Sequence, residues 1–206
     1  MDAKSWDERY AAAELVWSVE PNQFVAAECA DLPPGRAMDL AAGEGRNAIW
    51  LARRGWQVTA VDFSQAGLDK GRQLAGDVAI DWVCGDAVTG RGLDKLDHRD
   101  GGFDLVVIAY LQLTADERRA AIRRAFAALA AGGTFLLVAH DTTNLAEGTG
   151  GPQDASVLMT AEDVLEDLAG EDFDVVRAER VPRVVASPTG ESLTAWDALV
   201  RLVRRS

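Results

Sequence analysis

Apolar positions along this chain alternate between short runs typical of strands and longer stretches with one apolar side typical of helices. The alternation begins after the turn signal Pro33-Pro34-Gly35. The first four predicted elements are a strand, a helix, a strand and a helix over residues 37–41, 47–54, 56–61 and 64–76. Strands that alternate with helices predict a parallel sheet with helices on its faces.

The middle of the chain repeats this pattern. Strands are predicted over residues 80–84, 103–109 and 134–139. Thr114-Ala-Asp-Glu117 and Thr160-Ala-Glu-Asp163 are capping patterns that open helices, and the first of these helices is expected to run through Leu129. The nearly unbroken apolar run at 103–109 indicates a strand buried on both faces.

After Gly170 the pattern changes. Two strand-like stretches, residues 173–185 and 193–203, are separated only by the short loop 186–192. So short a connection permits an antiparallel hairpin but no parallel crossover. The prediction is a doubly wound, mostly parallel α/β sheet that ends in one antiparallel strand.

Composition narrows the possible ligands. The 206 residues include 33 acidic and 21 basic side chains, which gives a formal net charge of −12. Because phosphate backbones and anionic membrane surfaces attract Lys and Arg, neither nucleic acid nor a membrane is expected as a partner. Small molecules are the better expectation.

Cysteines and the first residues give two further expectations. Cys29 and Cys84 are far apart and form no CxxC pair, so neither a metal site nor a disulfide scaffold is predicted. The first ten residues lack the apolar region of a signal peptide, and no apolar run has the length of a membrane span. A cytoplasmic location is therefore expected.

The most informative stretch is the loop Asp39-Leu-Ala-Ala-Gly-Glu-Gly-Arg-Asn47, between the first strand and the first helix. In an open α/β sheet, ligands bind outside the carboxyl ends of the strands, where this loop lies. Asp62 ends the second strand, 17 residues after Gly45. Such a carboxylate is suited to accept hydrogen bonds from two ribose hydroxyls.

Two kinds of nucleotide-like cofactor compete for this loop. Gly43, Gly45 and Ala48 also satisfy GxGxxA, so an NAD(P)-linked oxidoreductase is an alternative. Glu44 and Asp39 would face the two phosphates of a dinucleotide at short range, which is unfavourable. S-adenosylmethionine instead presents an ammonium, a sulfonium and one carboxylate, so acidic side chains favour it.

Asp86 is a third acidic side chain that supports this choice. It lies just beyond the third strand, in Trp82-Val-Cys-Gly-Asp86, where an adenine amine could donate to it. An Asp after Gly also forms turns, and taken alone that reading would be preferred.

At these residues the chain resembles the class I S-adenosylmethionine-dependent methyltransferases, in particular the small group similar to tellurite-resistance and thiopurine-type enzymes. The likeness runs from about Trp6 to the C-terminus and is most specific from Asp39 through Ala52. Ala41 departs from the motif, because the group usually has glycine there. The resemblance implies a Rossmann-like, seven-stranded sheet in one domain over residues 1–206, with an N-terminal helical lid in 1–30 and the core in 37–206.

The resemblance also implies roles for individual residues. Those expected at the methionine part of S-adenosylmethionine are Asp39, Ala41, Gly43 and Gly45. Asp62 is expected at the ribose. Phe63, Asp86 and Ala87 are expected at the adenine, and Ala109 and Tyr110 at the sulfonium. Asn47 and Arg46 enter the first helix, and Arg46 is expected to pair with the cofactor or an acidic neighbour, or else to face solvent. Trp17 and Tyr10 of the lid are expected near the ligand, although Tyr10 could equally anchor the lid helix.

The predicted reaction is in-line transfer of a methyl group from S-adenosylmethionine to a small-molecule acceptor. Such a displacement depends on proximity and alignment, so a base is optional. His140 is the best placed residue to act as a base for a hydroxyl or thiol, although a histidine at a strand end is often simply hydrogen-bonded. Tyr110 is expected to help position the acceptor, and the long loop 141–159 is expected to border it. A non-catalytic protein that binds S-adenosylmethionine is a further alternative. The acceptor, its attacking atom and the choice between monomer and homodimer stay open.

Overall fold

The computed structural model describes residues 3–13, 15, 16, 18–93, 96, 101–187 and 190–206. The strands are β1 Arg36–Leu40, β2 Gln57–Asp62, β3 Asp81–Cys84, β4 Phe103–Ala109, β5 Leu129–His140, β6 Phe173–Ala186 and β7 Ser192–Arg204. The helices are α1 Ala3–Ala12, α2 Gln23–Cys29, α3 Arg46–Arg53, α4 Gln65–Ala75, α5 Ala115–Ala127, α6 Asn144–Glu147 and α7 Ala161–Asp167.

All seven strands form one sheet in the order β3-β2-β1-β4-β5-β7-β6. Neighbours from β3 to β5 are parallel, whereas β7 lies antiparallel between β5 and β6. This arrangement confirms the predicted mostly parallel sheet with an antiparallel C-terminal strand. Because β1 lies between β2 and β4, the loop after it opens at the point where the chain order reverses, which is where α/β sheets bind ligands.

Two apolar layers cover the two faces of the sheet. One contains Phe126 of α5 and Phe135 of β5, and the other contains Leu51 of α3 and Trp56. Within β4, Leu105 through Ile108 are buried, as their unbroken apolar run predicts. The central strands are therefore buried between these two layers.

Local capping explains where several helices begin. Asn22 accepts hydrogen bonds from Phe24 and Val25 at the start of α2, and Ser64 accepts one from Gly67 at the start of α4. The predicted capping box of α7 forms between Thr160 and Asp163.

The predicted end of α5 was wrong. The helix ends at Ala127, and Leu129 already belongs to β5, paired with Phe103 of β4. The apolar spacing of Leu129 fits a helix, but its side chain is buried in the core beside the start of β4. Tertiary pairing with β4 therefore overrides the local period.

The N-terminal helix α1 packs against α4. Asp7 Oδ1 accepts hydrogen bonds from Ser64 Oγ at 2.5 Å and from the Ala66 N–H at 3.1 Å. Tyr10 is 3% exposed. Across the described residues, no helix combines the length and the apolar character that a membrane span requires.

Candidate functional site

A cavity of about 340 Å³ lies at the carboxyl ends of β1, β2, β3 and β4. Its wall contains most of the side chains for which a cofactor role was predicted, together with residues of α1 and of the loop before α7. The predicted residues in the wall are Tyr10, Ala41, Arg46, Asn47, Asp62, Phe63, Asp86, Ala87, Ala109 and Tyr110. The other lining residues are Trp6, Ala42, Gly85, Val88, Leu111, Gln112, Leu113, Pro152, Asp154 and Val157.

Asp62 holds the glycine loop against the end of β2. Its Oδ2 accepts the Gly43 N–H at 2.8 Å, and its Oδ1 accepts the Ser64 N–H at 2.8 Å. Burial raises the pKa of Asp62, although these hydrogen bonds oppose the shift. Each carboxylate oxygen can accept a second hydrogen bond, so this role in the loop leaves room for a ligand.

Asp86 organises the turn after β3. Its Oδ1 accepts the Val88 N–H at 2.8 Å and the Thr89 N–H at 3.1 Å, so the turn-forming role that an Asp after Gly suggests is real. Burial opposes ionisation, but the bonds from Thr89 and Val88 bring the pKa of Asp86 below its ordinary value. The side chain is thus an anion at the cavity wall.

A residue that the sequence did not indicate supports this turn from below. Arg124 of α5 donates from Nη1 to the carbonyl oxygens of Ala87 and Val88, at 2.7 and 2.8 Å. The guanidinium connects α5 to the part of the cavity wall where an adenine ring is expected.

Asp39 lies beneath the loop, inside β1, and does not belong to the cavity lining. Its Oδ2 accepts the Ala48 N–H at the start of α3 at 3.0 Å, whereas its buried Oδ1 has no hydrogen-bond partner. Burial raises the pKa of Asp39 to about 7. A buried carboxylate oxygen without a donor is costly, so this position is suited to receive a cation or a donor.

The loop between Asp39 and α3 uses left-handed backbone at three residues. Gly43 and Gly45 have φ of 57° and 75°, and Ala41, where the family motif usually has glycine, has φ of 64°. A Cβ on Gly45 would lie 2.4 Å from the ring of Trp82, so this position requires glycine for space as well. Neither glycine lines the cavity; both shape the turn that does.

Glu44 does not face the cavity. The prediction that its charge would repel the phosphates of a dinucleotide was therefore wrong. The side chain is 3% exposed, accepts the Val16 N–H at 3.1 Å and lies 3.6 Å from Lys70 Nζ. Since Lys70 neutralises it, Glu44 does not act on a ligand in the loop as a bare anion. Its role here is to connect the N-terminal segment with α4.

Arg46 and Asn47 begin α3 beside the cavity. Burial lowers the pKa of Arg46, and its Nη1 donates to Ser18 Oγ at 3.3 Å. Asn47 Oδ1 accepts the Asn22 N–H at 2.9 Å, which fixes the start of α2 to the site. Arg46 is partly buried and belongs to the cavity wall, so its contact with the cofactor stays a prediction.

Tyr110 follows β4 and has a left-handed backbone with φ of 58°. Its hydroxyl donates to Asp197 Oδ2 at 2.8 Å, and its ring centroid lies 4.7 Å from that of His140. Burial, followed by the charge of Asp197, raises the pKa of Tyr110. His140 contacts this ring and does not belong to the cavity lining.

Asp197 and Arg183 of the C-terminal hairpin were not predicted as site residues. Asp197 is fully buried and accepts Arg183 Nε at 2.6 Å, while His140 Nδ1 lies 3.4 Å from its Oδ1 without the alignment of a full hydrogen bond. Burial opposes ionisation, but His140 and Arg183 hold the pKa of Asp197 below its ordinary value. The sequence offered one signal for this site: Asp197 is an acidic residue within the apolar stretch of β7.

Helix α1 contributes Trp6 and Tyr10 to the cavity, with ring centroids 5.5 Å apart. Trp17, the other lid residue expected near the ligand, lies outside the described residues. Pro152, Asp154 and Val157 bring the loop before α7 to the cavity. The described residues contain no cluster of side chains suited to hold a metal ion.

Comparisons with known proteins agree with the fold and the loop. Residues 37–133 match the sequence model of the methyltransferase domain. A demethylmenaquinone methyltransferase of Clavibacter sepedonicus is 32% identical over 130 residues, which are 63% of this chain and 49% of the relative. The chain therefore spans about half the length of this curated relative.

Solved structures share the whole fold at low identity. A SAM-dependent methyltransferase from Anabaena variabilis has a TM-score of 0.76 at 14% identity, covering 98% of this chain and 95% of that one. The N-methyltransferase NodS from Bradyrhizobium japonicum has a TM-score of 0.73 at 18% identity, covering 100% of both chains.

The seven-stranded sheet, with its cavity at the switch point and an acidic residue at the end of β2, defines a Rossmann-like, nucleotide-type cofactor site. With the matched domain over residues 37–133, this makes the chain similar to the S-adenosylmethionine-dependent methyltransferases. These are enzymes, and S-adenosylmethionine is their cofactor.

Proposed function

We propose that this protein transfers a methyl group from S-adenosylmethionine to a small-molecule acceptor by in-line displacement. The observation that carries the proposal is the cavity at the carboxyl ends of the central strands, with the carboxylates of Asp62 and Asp86 in its wall. Anionic side chains at these two places suit a ligand with hydroxyl and amine donors and a net positive charge.

The residues present fit the parts of this cofactor. Asp62 has a second acceptor site on each oxygen for the ribose hydroxyls, while Phe63, Asp86 and Ala87 form the wall for an adenine ring. The unpartnered Oδ1 of Asp39 supports an ammonium nearby, reached directly or through water. When bound, S-adenosylmethionine supplies a methyl group on a sulfonium, and the end of β4 is the place for it.

The remaining wall supports a small acceptor with apolar surface. Leu111, Leu113, Pro152 and Val157 contribute apolar side chains beyond the end of β4, and Trp6 contributes an aromatic ring. One of the similar proteins is called a demethylmenaquinone methyltransferase and another an N-methyltransferase. Similarity to methyltransferases therefore does not by itself identify the attacking atom of the acceptor. Proximity and exclusion of water carry the reaction, and His140 stays the predicted base if the acceptor is a hydroxyl or thiol.

Calorimetric titration tests the cofactor. S-adenosylhomocysteine should bind with one site per chain, and NADH should not. Binding of NADH alone would support the oxidoreductase instead. Turnover then separates an enzyme from a non-catalytic binder: thiols, phenols, amines and quinols are incubated with methyl-labelled S-adenosylmethionine and scored for labelled product. No transfer to any member, despite tight binding, would favour the non-catalytic alternative.

The role proposed for Asp62 has its own test. Replacing Asp62 by Ala should weaken S-adenosylhomocysteine binding by about 1–3 kcal/mol, the usual scale for a lost hydrogen-bonding carboxylate. Asp69→Ala, at a carboxylate on α4 that is 57% exposed, is the control and should leave affinity unchanged. Because Asp62 also holds Gly43 and Ser64, melting temperatures are measured beside affinities. Wild-type affinity in a folded Asp62→Ala variant would show that the ribose lies elsewhere.

A further inference from the structure

We propose that Asp197 is a positioning residue for the methyl-transfer site, which it reaches through Tyr110. The inference rests on the proposed function, because it concerns the wall beside the expected sulfonium. Tyr110 is part of that wall, whereas Asp197 is fully buried in β7, two strands away from β4 in the sheet.

The first observation is the backbone of Tyr110. A bulky residue at φ of 58° is rare and strained, so surrounding contacts must determine it. The Tyr110 N–H donates to the Val138 carbonyl at 2.8 Å, which anchors the backbone to β5. The hydroxyl bond to Asp197 anchors the other end of the side chain.

The second observation is the convergence of three strands on one carboxylate. Asp197 lies opposite His140 of β5 in the sheet register, and Arg183 comes from β6. Arg183 donates to Asp197 Oδ2, the oxygen that also accepts the Tyr110 hydroxyl. The guanidinium also lies 5.5 Å from the centroid of the Tyr110 ring.

These contacts make the Tyr110 ring a fixed surface. His140 contacts it, Arg183 approaches it, and Asp197 fixes its hydroxyl while Arg183 neutralises the buried charge. Holding a wall in place before the ligand arrives lowers the cost of aligning the reacting groups. Asp197 therefore contributes to ligand binding without touching the ligand.

The test uses the fact that the chain has only two tyrosines, Tyr10 and Tyr110. Protein labelled with 3-fluorotyrosine gives two ¹⁹F resonances, which Tyr110→Phe assigns. In Asp197→Asn the Tyr110 resonance should shift or broaden while that of Tyr10 stays in place. The Kd for S-adenosylhomocysteine should rise about fivefold to tenfold, in line with the loss of a hydrogen bond to a charged group.

A double-mutant cycle shows whether Asp197 acts through the hydroxyl. Tyr110→Phe alone should weaken S-adenosylhomocysteine binding several-fold, and adding Asp197→Asn to it should change the Kd by less than about twofold. Asp167→Asn is the matched control, because Asp167 is also fully buried and paired with an arginine, Arg118. It should lower stability and leave both resonances and the Kd unchanged.

Additive effects of Tyr110→Phe and Asp197→Asn, or wild-type resonances and Kd in Asp197→Asn, would overturn the proposal. If Asp197→Asn does not fold, Tyr110→Phe decides alone: wild-type affinity in this variant contradicts the proposal. Failure of the wild-type protein to bind S-adenosylhomocysteine would instead contradict the proposed function. The ¹⁹F spectra of the free protein would still report whether Asp197 holds Tyr110.

Discussion

Ala41 carries a backbone conformation that the family motif usually assigns to glycine. With φ of 64°, its backbone lies in the left-handed region, which costs an L-residue about 1–2 kcal/mol because of its Cβ. The hydrogen bond from Gly43 to Asp62 nevertheless closes the loop. The substitution therefore changes the energy of the loop more than its path.

Ala41→Gly is accordingly expected to stabilise the protein by about 1 kcal/mol, because relief of the left-handed strain exceeds the added entropy of the unfolded chain. Urea denaturation measures the change. Ala42→Gly is the matched control: Ala42 has no positive φ, so this variant should lose about 0.4–1 kcal/mol. Equal losses in both variants would contradict strain at Ala41.

Asp39 gives a pH dependence. Its folded pKa is about 7, above its ordinary value of 3.8, so the stability that it contributes is present at low pH and is lost as pH rises through about 7. A bound ammonium reverses this preference, since it favours the ionised carboxylate.

S-adenosylhomocysteine should therefore bind about tenfold more tightly at pH 8 than at pH 6, with release of a proton. Calorimetry at the two pH values, in buffers of different ionisation enthalpy, measures both effects. Asp39→Asn should bind with nearly the same affinity at the two pH values. A full pH dependence in that variant would assign the titration to another group.

At the scale of elements, α5 supports the loop after β3, where the adenine is proposed to lie, through one side chain. Arg124 reaches two carbonyls of the loop after β3, whereas its neighbour Arg123 donates to the carbonyls of Asp167 and Ala169 at the end of α7. The two arginines make the same kind of contact with different segments.

Arg124→Gln should raise the Kd for S-adenosylhomocysteine about threefold to tenfold, because the turn that presents Asp86 loses its support. Both variants should lower the melting temperature by a similar amount, but Arg123→Gln should leave the Kd unchanged. Calorimetry and thermal unfolding of both variants separate the two effects. If the Kd of Arg124→Gln equals that of Arg123→Gln, Arg124 stabilises the fold and does not contribute to ligand binding.

At the scale of the whole molecule, the cavity combines segments that are far apart in the chain. The wall includes Trp6 and Tyr10 of α1, residues at the carboxyl ends of β1, β2, β3 and β4, and Val157 before α7. A ligand that fills it connects all of these segments, so their opening becomes coupled.

Hydrogen exchange should show this coupling. S-adenosylhomocysteine is expected to slow exchange in residues 6–10, 41–47, 85–88 and 152–157 together, while residues 173–179 of β6 keep their rates. Deuterium uptake with and without ligand, followed by mass spectrometry, is the measurement. Protection limited to 41–47 would show that α1 and the loop before α7 do not enclose the ligand.

The sequence by itself determined the order of strands and helices, the hairpin and the loop for which a cofactor role is proposed. These features follow from local physics: apolar period, capping residues, and glycines where the backbone turns. The positions of Asp62 and Asp86 were predictable because Asp62 ends β2, Asp86 lies two residues after β3, and parallel strands end at one edge of the sheet. The family resemblance added roles that spacing alone left open.

Tertiary structure decided which charged side chains line the cavity. Glu44 is adjacent to the predicted loop, yet Lys70 and the Val16 N–H hold it away from the cavity. Asp197, 87 residues from Tyr110, reaches the hydroxyl of that wall residue instead. A charge chooses its partner by distance in space, and the antiparallel insertion of β7 beside β5 sets that distance.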